Sequence, residues 1–76
     1  MKKEIPKVFG SVLKEIRLEK KLSQQELADY AEVSRGYISQ LELGYNMPTI
    51  LTIFKLAEVL KVKPHDLIAL VEQRMK

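Results

Sequence analysis

The chain has no cysteine and no tryptophan, a single histidine, and only three glycines and three prolines in its 76 residues. Without cysteine there is neither disulfide nor thiol chemistry, and one histidine excludes zinc sites of the Cys/His type. Gly10, Gly36 and Gly44 lie too far apart to form a phosphate-cradling loop. No run of about 20 apolar residues occurs, so no membrane span is expected. The opening Met1-Lys2-Lys3-Glu4-Ile5-Pro6 has no apolar stretch behind it, so no signal peptide is expected and the predicted location is cytoplasmic.

What is present is globular in character. Hydrophobic residues make up 46% and charged residues 30% of the chain, unlike a disordered sequence. At about half the usual domain length of about 150 residues, 1–76 reads as one domain, with 1–7 as an N-terminal arm. So short a chain buries only about 60–65% of its unfolded surface, which leaves little room for a deep substrate cavity. A net charge of +3 leans toward an anionic partner.

Hydrophobic period and punctuation predict five helices and an all-α fold. Phe9, Val12, Leu13 and Ile16 follow the i, i+3, i+4, i+7 spacing of one helical face between Val8 and Lys21. Ser23 with Glu26 three residues later is a capping box for a second helix, Gln24 to Ala31. A break at Glu32-Val33 precedes Ser34, the cap of a third helix that ends near Leu43, with Gly44 just beyond. Thr49 caps a fourth helix, whose buried positions are expected at Ile50, Ile53, Leu56, Ala57 and Leu60. Pro64 opens a fifth, which carries Leu67, Leu70 and Val71.

Nothing in this pattern points to catalysis. His65 sits in the first turn of a helix, and its sequence neighbour Asp66 is not expected to face it. No metal site, catalytic residue or cofactor is predicted.

The informative stretch is Leu22 to Gly44, two short helices around a tight turn, which is the geometry that puts a second helix into the DNA major groove. On a wheel of about 100° per residue, Arg35, Ser39, Leu43, Gly36 and Gln40 share an arc of about 140°. Ile38 and Leu41 oppose them, with Tyr37 at the edge. Arg35 suits guanine bidentately, Gln40 suits adenine, and Gly36 permits close backbone approach. An ordinary amphipathic surface helix shows the same division.

The segments Leu22-Ser23-Gln24-Gln25-Glu26-Leu27-Ala28 and Val33-Ser34-Arg35-Gly36-Tyr37-Ile38-Ser39-Gln40-Leu41-Glu42-Leu43-Gly44, followed by Pro48-Thr49, resemble the XRE/Cro and phage-repressor-like helix-turn-helix family. Leu56-Ala57-Glu58-Val59-Leu60 and Pro64-His65-Asp66-Leu67 are similar to that family's closing pattern. The resemblance covers roughly Val8 to Leu70 and implies a sequence-specific binder of double-stranded DNA, often a dimeric regulator. It implies that Arg35, Gly36, Ser39 and Gln40 face base edges. Gln24, Ser34, Tyr37 and Asn46 would touch the DNA backbone, Gln24 would also support the recognition helix, and Arg17 and Glu42 would form a structural ion pair. Tyr37 also reads as a half-buried core tyrosine, and Leu43 as either a thymine-methyl contact or a residue left exposed.

Three features depart from the family pattern. Glu32 stands where the turn usually has glycine, Tyr45-Asn46-Met47 replaces the Lys or Arg common after Gly44, and Gly36 removes a side chain from a base-reading position. Charge is uneven as well: residues 1–21 carry +4, 22–47 carry −3 with Arg35 the lone cation, and 48–76 carry +2.

One recognition helix reads few base pairs, so paired half-sites and a homodimer are expected. Ile68 and Val71, with Leu60 to Val62, are the candidate interface, unless that stripe is all intramolecular core. The predicted function is a dimeric transcriptional regulator, a repressor or a controller of its own operon. Alternatives are an antitoxin that binds a toxin as well as its own promoter, and a protein-interaction module that no longer binds DNA.

Overall fold

Five helices follow one another through residues 4–75, the part of the chain that the computed structural model describes: α1 (Glu4–Glu19), α2 (Gln24–Ala31), α3 (Arg35–Leu43), α4 (Ile50–Leu60) and α5 (Pro64–Arg74). No strand occurs among the described residues. The helix starts are set by short polar side chains. The Ser23 hydroxyl accepts from the Glu26 amide while the Glu26 carboxylate accepts from the Ser23 amide, closing the capping box. Ser34 accepts from the Tyr37 amide and Thr49 from the Thr52 amide. Lys63 offers no side-chain cap, and Pro64 begins α5 with its φ already helical.

Residues 4–7, expected in an N-terminal arm, are instead the first turn of α1. The first four amides of a helix have no intrahelical partner, so Pro6 removes no bond there, and Glu4 complements the helix dipole. The rest of the expected arm, residues 1–3, lies outside the described residues.

The core draws on every helix. Phe9, Val12, Leu13 and Ile16 of α1 meet Leu27, Ala28 and Ala31 of α2, Ile38 and Leu41 of α3, the Ile53, Leu56, Ala57 and Leu60 face of α4, and Leu67 and Val71 of α5. Ile50, expected inside, is 70% exposed. It is the first residue of α4, beyond the core's edge, and Ile53 one turn later makes the inward contact.

α1 packs on α3 and α5, and α2 on α3 and α4. Gly10 makes the α1–α3 contact possible: a β-carbon there would lie 2.6 Å from the Glu42 carbonyl oxygen and nearer still to that of Leu41. At the other end of α1, the Arg74 guanidinium donates to Glu15 at 2.6 Å. That hydrogen bond, then the attraction of the charge, holds the Glu15 carboxyl below the usual carboxylate range. Left-handed residues end four of the segments: Lys21 (φ 59°), Glu32 (φ 60°), Gly44 (φ 81°) and Lys61 (φ 59°).

Candidate nucleic-acid interface

The turn between α2 and α3 is made by Glu32 in the left-handed conformation, its amide bonded back to the Ala28 and Asp29 carbonyls. A carboxylate side chain thus occupies the backbone state that the sequence pattern reserves for glycine. Val33 then bonds back to the Ala28 carbonyl at 3.0 Å, and Ser34 caps α3. The turn closes with its hydrogen bonds intact.

α3 is aimed by a buried polar cluster. Arg17 Nε donates to one Glu42 carboxylate oxygen at 2.6 Å and Nη2 to the other at 3.1 Å. The two side chains are only 8% and 3% exposed. Arg17 Nη1 also donates to the Leu22 carbonyl at 2.7 Å, which fixes the lead into α2. Gln24 Nε2 donates to Glu42 at 3.0 Å. A bidentate Arg–carboxylate pair of this kind is geometrically specific. One cluster therefore ties α1, the α2 start and α3 together, and the Glu42 charge is met by a cation instead of facing outward.

On α3, Ile38 and Leu41 are buried, Tyr37 is half-buried, and Arg35, Gly36, Gln40 and Leu43 are exposed, with Ser39 half-buried among them. The four expected base-facing residues thus share one open face. A β-carbon on Gly36 would meet nothing within 4 Å, so the fold itself does not require glycine there. Ser34 accepts its cap bond and keeps a hydroxyl hydrogen free to donate. Asn46 lies beside α3 and donates to the Gln40 side-chain oxygen at 2.6 Å.

Several residues that matter here escape a reading of the sequence. Gly10 carried one signal, a lone glycine inside a helical pattern. The family resemblance implied that Gln24 supports α3 but not that Glu42 is its partner, and the Asn46–Gln40 bond had no signal, since each depends on where two segments meet.

Two expectations need correction. Val71 is 8% exposed and belongs to the intramolecular core, as does fully buried Leu60, so neither is free for a dimer interface. Ile68 is 48% exposed at the edge of a shallow apolar groove that Ile5, Met47 and Met75 also line. A wider apolar stripe lies on α4, where Ile50, Leu51 and Phe54 are each more than half exposed. His65 and Asp66, expected to point apart, do approach to 3.3 Å, because both side chains are free to bend at an open first helical turn.

No helix among the described residues is long and apolar enough to cross a membrane. Among them, no group of three or more His, Asp or Glu is placed to hold a metal ion.

The comparisons with known proteins agree with this geometry. The helix-turn-helix family profile matches residues 13–67. An uncharacterized HTH-type transcriptional regulator, y4dJ of Sinorhizobium fredii, is 35% identical over 65 residues, covering 86% of this chain and 84% of the relative. Control protein C.BamHI of Bacillus amyloliquefaciens is 36% identical over 69 residues, covering 90% and 85%. Among solved structures, the restriction-modification controller protein C.AhdI of Aeromonas hydrophila superposes with a TM-score of 0.78 at 36% identity, covering 80% of this chain and 92% of that one. The biofilm master regulator SinR, solved in complex with DNA, gives 0.75 at 36% identity, covering 79% and 97%. The chain belongs to the helix-turn-helix family of DNA-binding transcriptional regulators, of the XRE type.

Proposed function

We propose that the protein acts as a homodimer on a two-fold symmetric operator, as a repressor or controller in the cytoplasm. Arg35, Gly36, Ser39 and Gln40 face base edges in the major groove. Gln24, Ser34 and Tyr37 meet the flanking phosphates, with Asn46 at the rim. The observation that carries this reading is the open face of α3. Apart from Leu43 at the helix end, its exposed residues are small or hydrogen-bonding, while its opposite face is locked to the core by Ile38 and Leu41 and aimed by Arg17 and Glu42. The amides at the starts of α2 and α3 favour phosphate oxygens. The Ser34 hydroxyl and the Tyr37 side chain flank the same end of α3.

Exposed apolar surface supports the dimer. Ile68 remains available, and the Ile50, Leu51 and Phe54 stripe adds a larger patch that a monomer in water gains nothing by exposing. The same stripe would equally serve a foreign protein partner, which is the reading an antitoxin role requires. Sedimentation of the purified chain separates the two, since a monomer at high micromolar concentration contradicts the dimer.

The base-reading assignment is tested by Arg35→Ala. The substitution is expected to cost about 1–3 kcal/mol on the cognate site and to relax preference at one base pair. An equal loss on cognate and random DNA contradicts it.

A further inference from the structure

The side chain of Gln40 is not free. Asn46 Nδ2 donates to Gln40 Oε1 at 2.6 Å, and both groups lie at the solvent edge of α3. The backbone fixes this pairing from below. Gly44 ends α3 in the left-handed conformation, and the Tyr45 amide returns to the Gln40 carbonyl at 2.9 Å. The chain therefore doubles back and sets Asn46 beside Gln40. Gly44 cannot shift outward easily, because Lys7 of α1 packs so closely that a β-carbon would lie 2.9 Å from the Lys7 Cα. A helix end held from two sides thus delivers an amide onto a residue of the DNA-facing surface.

We propose that Asn46 is a specificity-determining residue that acts by orienting Gln40, so that the two amides read one base pair as a unit. This rests on the reading that α3 faces base edges. A free glutamine reads adenine with Oε1 accepting from N6 and Nε2 donating to N7. Asn46 takes one lone pair of Oε1 and turns that oxygen toward itself, so the groups that Gln40 aims at the groove are its Nε2 hydrogens. Donors select the acceptor edges, guanine N7 and O6 or thymine O4, over the mixed edge of adenine and the donor of cytosine. The protein accordingly favours guanine or thymine at this position. Asn46 contributes through the angle of a neighbouring amide, and not as a phosphate contact.

The test uses the full-length protein and a randomised duplex DNA pool, with base preference at each position as the readout. Wild type is compared with Gln40→Ala, Asn46→Ala and Asn46→Asp. An aspartate is close to isosteric but accepts only, so Gln40 must rotate to donate to it and turns Oε1 toward the groove. Asn46→Asp is therefore expected to move the preference at that one base pair toward adenine or cytosine, by about tenfold. Asn46→Ala is expected to relax the same pair toward adenine. The added negative charge lowers affinity on every sequence alike and leaves the preference profile readable. If Gln40→Ala relaxes a base pair but neither Asn46 variant alters that pair, the proposal is overturned while the base-reading role of α3 stands. If Gln40→Ala alters no base pair, the reading of Gln40 falls and the proposal with it.

Discussion

Glu32 holds φ 60° and ψ 44°, a conformation that costs a residue with a β-carbon about 1–2 kcal/mol. Its side chain is exposed, and among the described residues it has no hydrogen-bond or ion-pair partner that offsets the strain. Glu32→Gly is therefore expected to raise stability by about 1 kcal/mol in urea denaturation, with the slope of the transition unchanged. A loss of stability would mean that the Glu32 side chain does something the backbone argument misses. The strain at this position was legible from the family pattern, which has glycine in this turn where the chain has Glu32. The caps at Ser23, Ser34 and Thr49 were legible from residue type and spacing, because a short polar side chain before a helical pattern satisfies the helix's own free amides. Gln24 and Glu42 were not legible as partners: 18 residues separate them, and only the packing of α2 on α3 brings them to 3.0 Å. The same holds for the amide of Asn46, which reaches Gln40 only because Gly44 reverses the chain.

Among the elements, α1 and α3 approach through the gap that Gly10 leaves. A methyl group there would press on two backbone carbonyls near the end of α3, which have no flexible side chain to yield. Gly10→Ala is expected to cost about 1–3 kcal/mol in stability. It should also weaken DNA binding beyond that loss, because α3 must move relative to α1 and so disturb the Arg17–Glu42 pair that aims it. Denaturation and binding measured on the same preparation check both parts, and unchanged affinity in a folded variant would show that the α1–α3 spacing does not set the aim. The elements themselves were largely readable. Periodicity placed α1, caps placed the starts of α2, α3 and α4, and Pro64 placed the start of α5. Where the reading failed, the cause lies at helix ends. Residues 4–7 joined α1 because first-turn amides need no acceptor, and Ile50 stayed outside because an N-terminal helical residue can overhang the core. Val71 went inside for the converse reason. A stripe on the last helix of a small domain is drawn inward, since the core has few other apolar side chains to close that end.

For the whole molecule, charge decides how it meets DNA. The segment from residue 22 to 47 carries −3, and its single cation is Arg35. The structure softens this balance, because Glu42 is spent on Arg17 inside the fold. Phosphate attraction still falls to helix starts and to lysines outside the motif. Few counterions should be released on binding, so the plot of log affinity against log salt is expected to be shallow. A slope equivalent to about eight neutralised phosphates would contradict that distribution of charge. With weak electrostatics, the proposed selectivity rests on contacts at base edges and on the proposed pairing of two recognition helices, about 34 Å apart on one face of the duplex. Both ideas meet in one measurement, selection from a randomised duplex pool at about 150 mM salt, near physiological screening. An enriched motif with two-fold symmetry is expected, its half-sites centred about one helical turn apart. A pool that stays random at that salt would contradict the claim that the open face of α3 reads DNA.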